Sequence, residues 1–207
     1  MRPEGRLPTE EGELESLVES RLGRRKLRDE MKVAIPTLET PRLTLRAHTA
    51  QDMEPSYAMW SDPDVTRYIT GKPATREEVW SRLLRYVGHW AWFGYGFWAI
   101  ESKSSGRFVG EVGFADFQRG LAPRFSGAPE MGWALAPSAQ GKGFATEAVQ
   151  AAIAWGETFW GPRSLVCMVS PENLASIHVA EKCGYRDFEH TLYKGVPTIL
   201  FERPPHE

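Results

Sequence analysis

Small and apolar residues recur along one stretch of the chain at Ala145, Ala148, Val149, Ala152, Ile153 and Gly156. That is the spacing of a helix with a single apolar face. Ahead of it, Met131-Gly132-Trp133-Ala134-Leu135 reads as a short apolar strand that stops at Ala136-Pro137. The two are joined by Gln140-Gly141-Lys142-Gly143-Phe144-Ala145, a turn carrying two glycines. Downstream, Ser164-Leu165-Val166-Cys167-Met168-Val169 is a continuous apolar run of buried-strand length, broken by Ser170-Pro171-Glu172. Asn173 then has the character of an N-cap, with Leu174, Ile177 and Glu181 as the expected helical stripe and Gly184 as the stop.

The rest of the pattern is consistent with one α/β domain. Leu43–Arg46 alternates as an edge or first strand, and Asp52–Trp60 is expected to be helical. Asp64–Tyr68 reads as a short helical turn. Thr75-Arg76-Glu77-Glu78 is a capping-box helix start, with the helix running towards Trp90. Trp92-Phe93-Gly94-Tyr95-Gly96 reads as an aromatic turn, and Phe97–Glu101 with Phe108–Phe114 as a hairpin across Lys103–Gly106. Ala115–Pro129 is a long loop, the kind that carries function. Tyr185–Leu192 and Pro197–Glu202 form a last hairpin.

Composition narrows the class. The 207 residues carry a net charge of -2, which calls for neither nucleic acid nor a membrane partner. No apolar run approaches the length of a membrane span or signal-peptide core. The two cysteines, Cys167 and Cys183, fall in expected core elements without metal-ligand spacing, so no metal site is expected and the chain reads as reduced, intracellular and cytoplasmic. Residues 1–32 form a charged N-terminal extension, acidic first and basic later, and 33–207 the domain proper. Within the extension Leu14, Leu17, Val18 and Leu22 allow an amphipathic helix over Glu13–Arg28; a solvated helix and a contact with acidic partners or RNA are the two readings.

A strand, a glycine-bearing turn and a helix leave free main-chain N–H groups at the positive end of the helix dipole, and a diphosphate fits there. Gly141 and Gly143 admit close approach and Lys142 adds charge. The turn matches neither a Walker loop nor a dinucleotide fingerprint, and an ordinary strand-to-helix turn remains the alternative.

With both halves in view, the sequence resembles the GNAT superfamily of acetyltransferases. Gln140-x-x-Gly143-x-Ala145 matches its acetyl-CoA signature. Asn173-x-x-Ser176 followed by Glu181-Lys182-Cys183-Gly184-Tyr185 resembles the RimJ/RimL-like branch, which acetylates ribosomal-protein N-termini. The resemblance spans Thr37 to Arg203 and implies a mixed, mostly antiparallel central sheet, helices on both faces, splayed to hold the pantetheine arm. It implies acetyl-CoA as co-substrate and a primary amine, on a protein N-terminus or a small molecule, as acceptor attacking the thioester directly. The expected cofactor-binding set is Leu135, Gln140, Gly141, Lys142, Gly143, Phe144, Ala145, Thr146, Asn173 and Ser176, with main-chain N–H groups near Leu135 facing the oxyanion. A homodimer is left open.

One departure matters for the chemistry. Many members carry a tyrosine acid where this chain has Ala180, so Ser176 is the remaining candidate to protonate or hydrogen-bond the leaving thiolate; as N3 of its helix it could equally only trim the helix start. For the base, the resemblance points to Glu130 acting through water, with Glu111 as rival. Trp92, Phe93, Tyr95, Trp98, Phe114, Phe117 and Trp133 are open to two readings, an acceptor wall or core. The absent tyrosine also keeps a second class open, a non-catalytic acyl-CoA sensor.

Overall fold

A computed structural model describes residues 33–121, 125 and 127–205. By its contacts the chain divides into Met1–Ala34 and Ile35–Glu207. Of the first unit only Val33 and Ala34 are described, both outside regular structure, so the helix expected over Glu13–Arg28 lies outside the described residues. The second unit carries the fold.

Its strands are β1 (Leu38–Glu39), β2 (Leu43–Arg46), β3 (Phe97–Ser102), β4 (Arg107–Ala115), β5 (Glu130–Leu135), β6 (Leu165–Val169), β7 (Arg186–Tyr193) and β8 (Val196–Arg203). The helices are α1 (Met53–Trp60), α2 (Pro63–Thr66), α3 (Arg76–Phe93), α4 (Phe144–Trp160) and α5 (Leu174–Lys182). All the strands join one sheet in the order β1-β2-β3-β4-β5-β6-β8-β7. Every pairing is antiparallel except β5 with β6, whose crossover is α4.

Period-two alternation sorts the side chains of the central strands onto two faces. Trp98, Val112, Phe114, Met131 and Leu135 pack with Ala148, Val149, Ala152 and Ile153 of α4 in the main core. On the other face Phe97, Ala115 and Ala134 pack with Met53, Met59 and Trp60 of α1 and Val79, Leu83 and Tyr86 of α3. The apolar stripe read from α4 is thus the stripe that is buried, and Trp98 and Phe114 are core.

α3 begins with the expected capping box, Thr75 accepting from the Glu78 N–H and the Glu78 carboxylate from the Thr75 N–H. It runs further than the sequence suggested. Trp92 and Phe93 belong to its last turn, and Gly94 closes it in the left-handed region at φ 72. The density of aromatics next to glycine had resembled a turn. In α5 the inward residues are Ile177, Ala180 and Cys183, while Leu174 is 73% exposed and Glu181 is exposed. Of the expected stripe Ile177 faces inward and Leu174 and Glu181 do not; Ala180 and Cys183 complete the contact. The C-terminal end of α5 is held by buried Arg203, whose Nε donates to Cys183 O at 3.2 Å and whose Nη1 pairs with Glu157 of α4 at 2.7 Å.

Glu111 of β4 is buried between sheet and helices, 1% exposed. It accepts from Ser56 Oγ at 2.9 Å, Trp60 Nε1 at 3.0 Å and Tyr86 OH at 2.8 Å. Buried acceptors are costly to leave short of donors. Tyr86→Phe is expected to destabilise the fold by about 1–3 kcal/mol, lowering Tm by roughly 2–10 °C in a thermal melt.

Candidate active site

The site starts from a break in the sheet. β5 and β6 share one rung, Glu130↔Val166, with the Val166 N–H donating to Pro129 O at 3.1 Å. Beyond it the two strands diverge. On the other side of β5 the ladder with β4 is complete, and the Ala136 N–H reaches Val109 O at 3.0 Å. Main-chain groups alternate in direction along a strand. The N–H groups of Ala134 and Gly132 therefore serve β4, and those of Trp133 and Leu135 face the opening. The Leu135 carbonyl, which faces the same way, accepts from Gln140 Nε2 at 3.2 Å.

At the mouth of the opening lies the glycine turn. Gly141 and Gly143 sit at φ 72 and 76, in the left-handed region that a Cβ disfavours. Gly143 is the N-cap of α4, and the Glu147 N–H, which donates to Gly143 O at 3.2 Å, starts the intrahelical ladder. The N–H groups of Phe144, Ala145 and Thr146 precede that bond and have no acceptor one turn back. Lys142 is exposed at this turn.

Arg42, just ahead of β2, supplies a second cation that the sequence reading missed. Its Nη1 donates to Lys142 O at 2.8 Å, its Nε to Glu147 at 2.6 Å, and its guanidinium lies 4.8 Å from the centre of the Phe144 ring. Thr40 Oγ1 and the Arg42 N–H also donate to Glu147, at 2.6 and 2.9 Å. Burial pushes the Glu147 carboxyl pKa up, but the bonds from Thr40 and Arg42 outweigh it and hold it below the usual carboxylate range. No local pattern marks Arg42; its partner is about a hundred residues away along the chain.

α5 opens as expected. Asn173 Oδ1 accepts from the Ser176 N–H at 3.1 Å, so the cap uses the main chain of Ser176 and leaves its half-buried hydroxyl out. Ala180, at the position of the missing tyrosine, is fully buried.

On the opposite face, at the closed end of the opening, Glu130 is buried. Arg119 Nε donates to its Oε2 at 2.7 Å, and Arg119 Nη1 donates to Tyr193 OH at 2.7 Å. The Arg119 guanidinium also lies over Phe117 at 4.5 Å and Tyr193 at 4.9 Å. A loop residue and a hairpin tip thus converge on the start of β5. Glu111, the rival, has no such access, being enclosed by α1 and α3. Of the aromatics, Phe117 is the one beside Glu130, while Trp92 is 84% exposed and Tyr95 and Trp133 pack against the main core. Among the described residues no cluster of His, Cys, Asp or Glu could hold a metal ion, and no helix is long and apolar enough to cross a membrane.

A sheet parted after one parallel rung, with a phosphate-ready helix start at the mouth, is the frame of an acyl-CoA-dependent transferase. The profile of the acetyltransferase (GNAT) domain matches residues 42–186, and the chain belongs to that family. The N-acetyltransferase p20 of Bacillus licheniformis is 29% identical over 172 residues, covering 80% of this chain and 94% of that relative. A GnaT-family acetyltransferase structure from Bordetella pertussis is 31% identical, covers 82% of this chain and 99% of its own, and superposes with a TM-score of 0.73. RimL, a ribosomal L7/L12 alpha-N-protein acetyltransferase solved in complex with coenzyme A, shares the fold at 16% identity and a TM-score of 0.67, with 82% and 98% of the two chains covered. The chain is an acetyltransferase that moves an acetyl group from acetyl-CoA to an amine.

Burial raises the Glu130 pKa above that of an ordinary glutamate, and Arg119, by hydrogen bond and charge, pulls it partly back. Removing the cation takes away only the lowering contribution. Arg119→Ala is expected to move the Glu130 pKa further up, read as a shift of its carboxyl carbon titration by NMR towards neutral pH.

Proposed function

We propose that acetyl-CoA lies with its diphosphate on the turn Gln140–Thr146 and its pantetheine arm in the opening between β5 and β6. The observation that carries this reading is the single β5–β6 rung, which leaves strand-edge groups at Trp133 and Leu135 for the amides of the arm. The N–H groups at the start of α4, with Arg42 and Lys142, offset the diphosphate charge. Asn173 and Ser176 flank the thiol end of the arm.

In this reading the acceptor is a primary amine, on a protein N-terminus or a small molecule, and attacks directly. The amine nitrogen adds to the thioester carbonyl carbon and negative charge gathers on the carbonyl oxygen, where a strand-edge N–H of β5 meets it. The C–S bond then breaks and the thiolate leaves. Glu130 takes the amine proton through a water, its Oε2 occupied by Arg119. Ser176 Oγ donates a hydrogen bond to sulfur as charge builds there. Coenzyme A departs as the thiol once a proton reaches the sulfur, whose ordinary thiol pKa is roughly 8.5. The acceptor side is the face of β5 that carries Glu130 and Gly132, with Phe117 of the loop after β4 near it. A Cβ at Gly132 would fall 2.8 Å from the Phe97 ring, so glycine keeps that face closely packed beside Glu130.

Two experiments test this. Acetyl-CoA at a hundred times its Kd should stabilise the fold by about 2.7 kcal/mol, raising Tm by roughly 5–10 °C. Gly143→Asp adds a Cβ 3.4 Å from Arg42 Nη2 and a carboxylate that neutralises that cation, and should abolish the rise. A folded Gly143→Asp protein with an undiminished rise sinks the diphosphate assignment.

Ser176→Ala keeps the main-chain N–H that Asn173 accepts, so Tm should hold. If the hydroxyl serves the leaving sulfur, kcat falls about 10²–10³-fold while acetyl-CoA affinity barely changes, because the bond strengthens in the transition state. Wild-type turnover in Ser176→Ala removes Ser176 from the mechanism.

A further inference from the structure

Three guanidiniums lie close together in the neighbourhood of Glu130. Phe117, on the loop after β4, is flanked by two guanidiniums, with Arg119 Cζ 4.5 Å and Arg85 Cζ 5.5 Å from the ring centre. One helical turn back along α3, Arg82 Cζ lies 3.8 Å over the Trp60 ring. Arg119 has its carboxylate in Glu130. Among the described residues neither Arg82 nor Arg85 is in an ion pair; of the near acids, Glu111 accepts from Ser56, Trp60 and Tyr86, and Asp116 accepts from Gln118. Burial, then the neighbouring Arg82 and Arg119 charges, pull the Arg85 pKa below an arginine's ordinary value. Arg85 is exposed overall, with its guanidinium held at the Phe117 ring.

Nor does the fold need this arrangement. α3 is anchored by Val79, Leu83, Tyr86 and Trp90, none of which involves the Arg85 guanidinium. Arg119 uses Nε for Glu130 and Nη1 for Tyr193, which leaves Nη2 for another acceptor. Two planar donor forks near one ring, one of them paired with the Glu130 carboxylate, match an oxyanion on the acceptor itself.

We propose that the acceptor amine carries an anionic oxygen group, a carboxylate or a phosphate, bound between Arg85 and Arg119 at the edge of Phe117. This rests on the acceptor face assigned above to the Glu130 side of β5. Arg85 is then a specificity residue. It contributes nothing to bond making and selects acceptors by charge.

The test uses matched acceptors at equal free-amine concentration. Glycine is paired with glycinamide, 2-aminoethyl phosphate with 2-aminoethanol, and the tripeptide amide Gly-Asp-Gly with Gly-Asn-Gly. The full-length enzyme is assayed for thiol release from acetyl-CoA. A charge-assisted contact of this kind is worth about 10–100-fold, so kcat/KM for the anionic member of at least one pair should exceed that of its neutral partner by that factor. The pair with the largest ratio identifies the oxyanion source. Arg85→Gln should erase the ratio, and Arg85→Lys should keep part of it. Equal use of both members by wild type in every pair, or an unchanged ratio in Arg85→Gln, overturns the inference and leaves the transferase reading intact. If no member releases thiol, the acceptor reading has failed by itself, and binding decides the charge site. A shift of the Arg85 Nε–H NMR signal of the CoA-loaded protein with the anionic members alone supports it, and no shift overturns it.

Discussion

The parallel contact between β5 and β6 ends after Glu130↔Val166, and the geometry of the site follows from where it ends. Had the ladder continued, the N–H groups of Trp133 and Leu135 would be bonded to β6 and the sheet would be closed. Because it stops, the crossover helix α4 starts at the wide end of the gap, and α5 starts just past the end of β6. Three features of an acyl-transfer site are then set by one divergence. Strand-edge amides lie in the gap, helix-start amides at its mouth, and a carboxylate at its closed end. None of them needs an unusual residue; each needs the strands to part at the right rung.

Three glutamates show how position decides what one side chain does. Glu111 is enclosed and satisfied by three neutral donors, which makes it a fastener between the sheet and α1 and α3. Glu147 ties residues ahead of β2 to the glycine turn through Thr40 and Arg42, with its charge well matched. Glu130 is buried like Glu111 and ion-paired like Glu147, yet burial wins and its pKa is raised. Desolvation and a cation pull in opposite directions there, and a carboxylate poised between them is suited to exchanging a proton.

Legibility in the sequence followed distance along the chain. The α3 capping box, the apolar face of α4 and the Asn173 cap each rest on residues within a few positions of one another, and each is present. The glycine turn was readable for the same reason. Arg42 was not, because its importance lies in a contact with Glu147 across 105 positions. Phe117, Arg119 and Tyr193 meet at Glu130 only after a loop and a hairpin fold back. α5 was read correctly at Ile177 but not at its ends, because Ala180 and Cys183 are inward without being large, while hydrophobicity pointed to Leu174, which faces solvent. The aromatic-glycine run after Trp90 misled in the opposite sense, since the helix absorbed two of the aromatics before Gly94 ended it.

The strand order has a consequence for how the protein is made. β8 is made after every other strand of this sheet, yet it lies inside the sheet, paired with the whole of β6, from Leu165↔Arg203 to Val169↔Ile199, with β7 outside it. While a ribosome is still translating the final hairpin, β6 shows its apolar residues beside an unpaired edge, and the half of the sheet beyond the gap does not yet exist. The nascent chain can close its fold only once the residues up to Arg203 are free. Loss of the residues of β8 would thus unmake an inner strand rather than an edge.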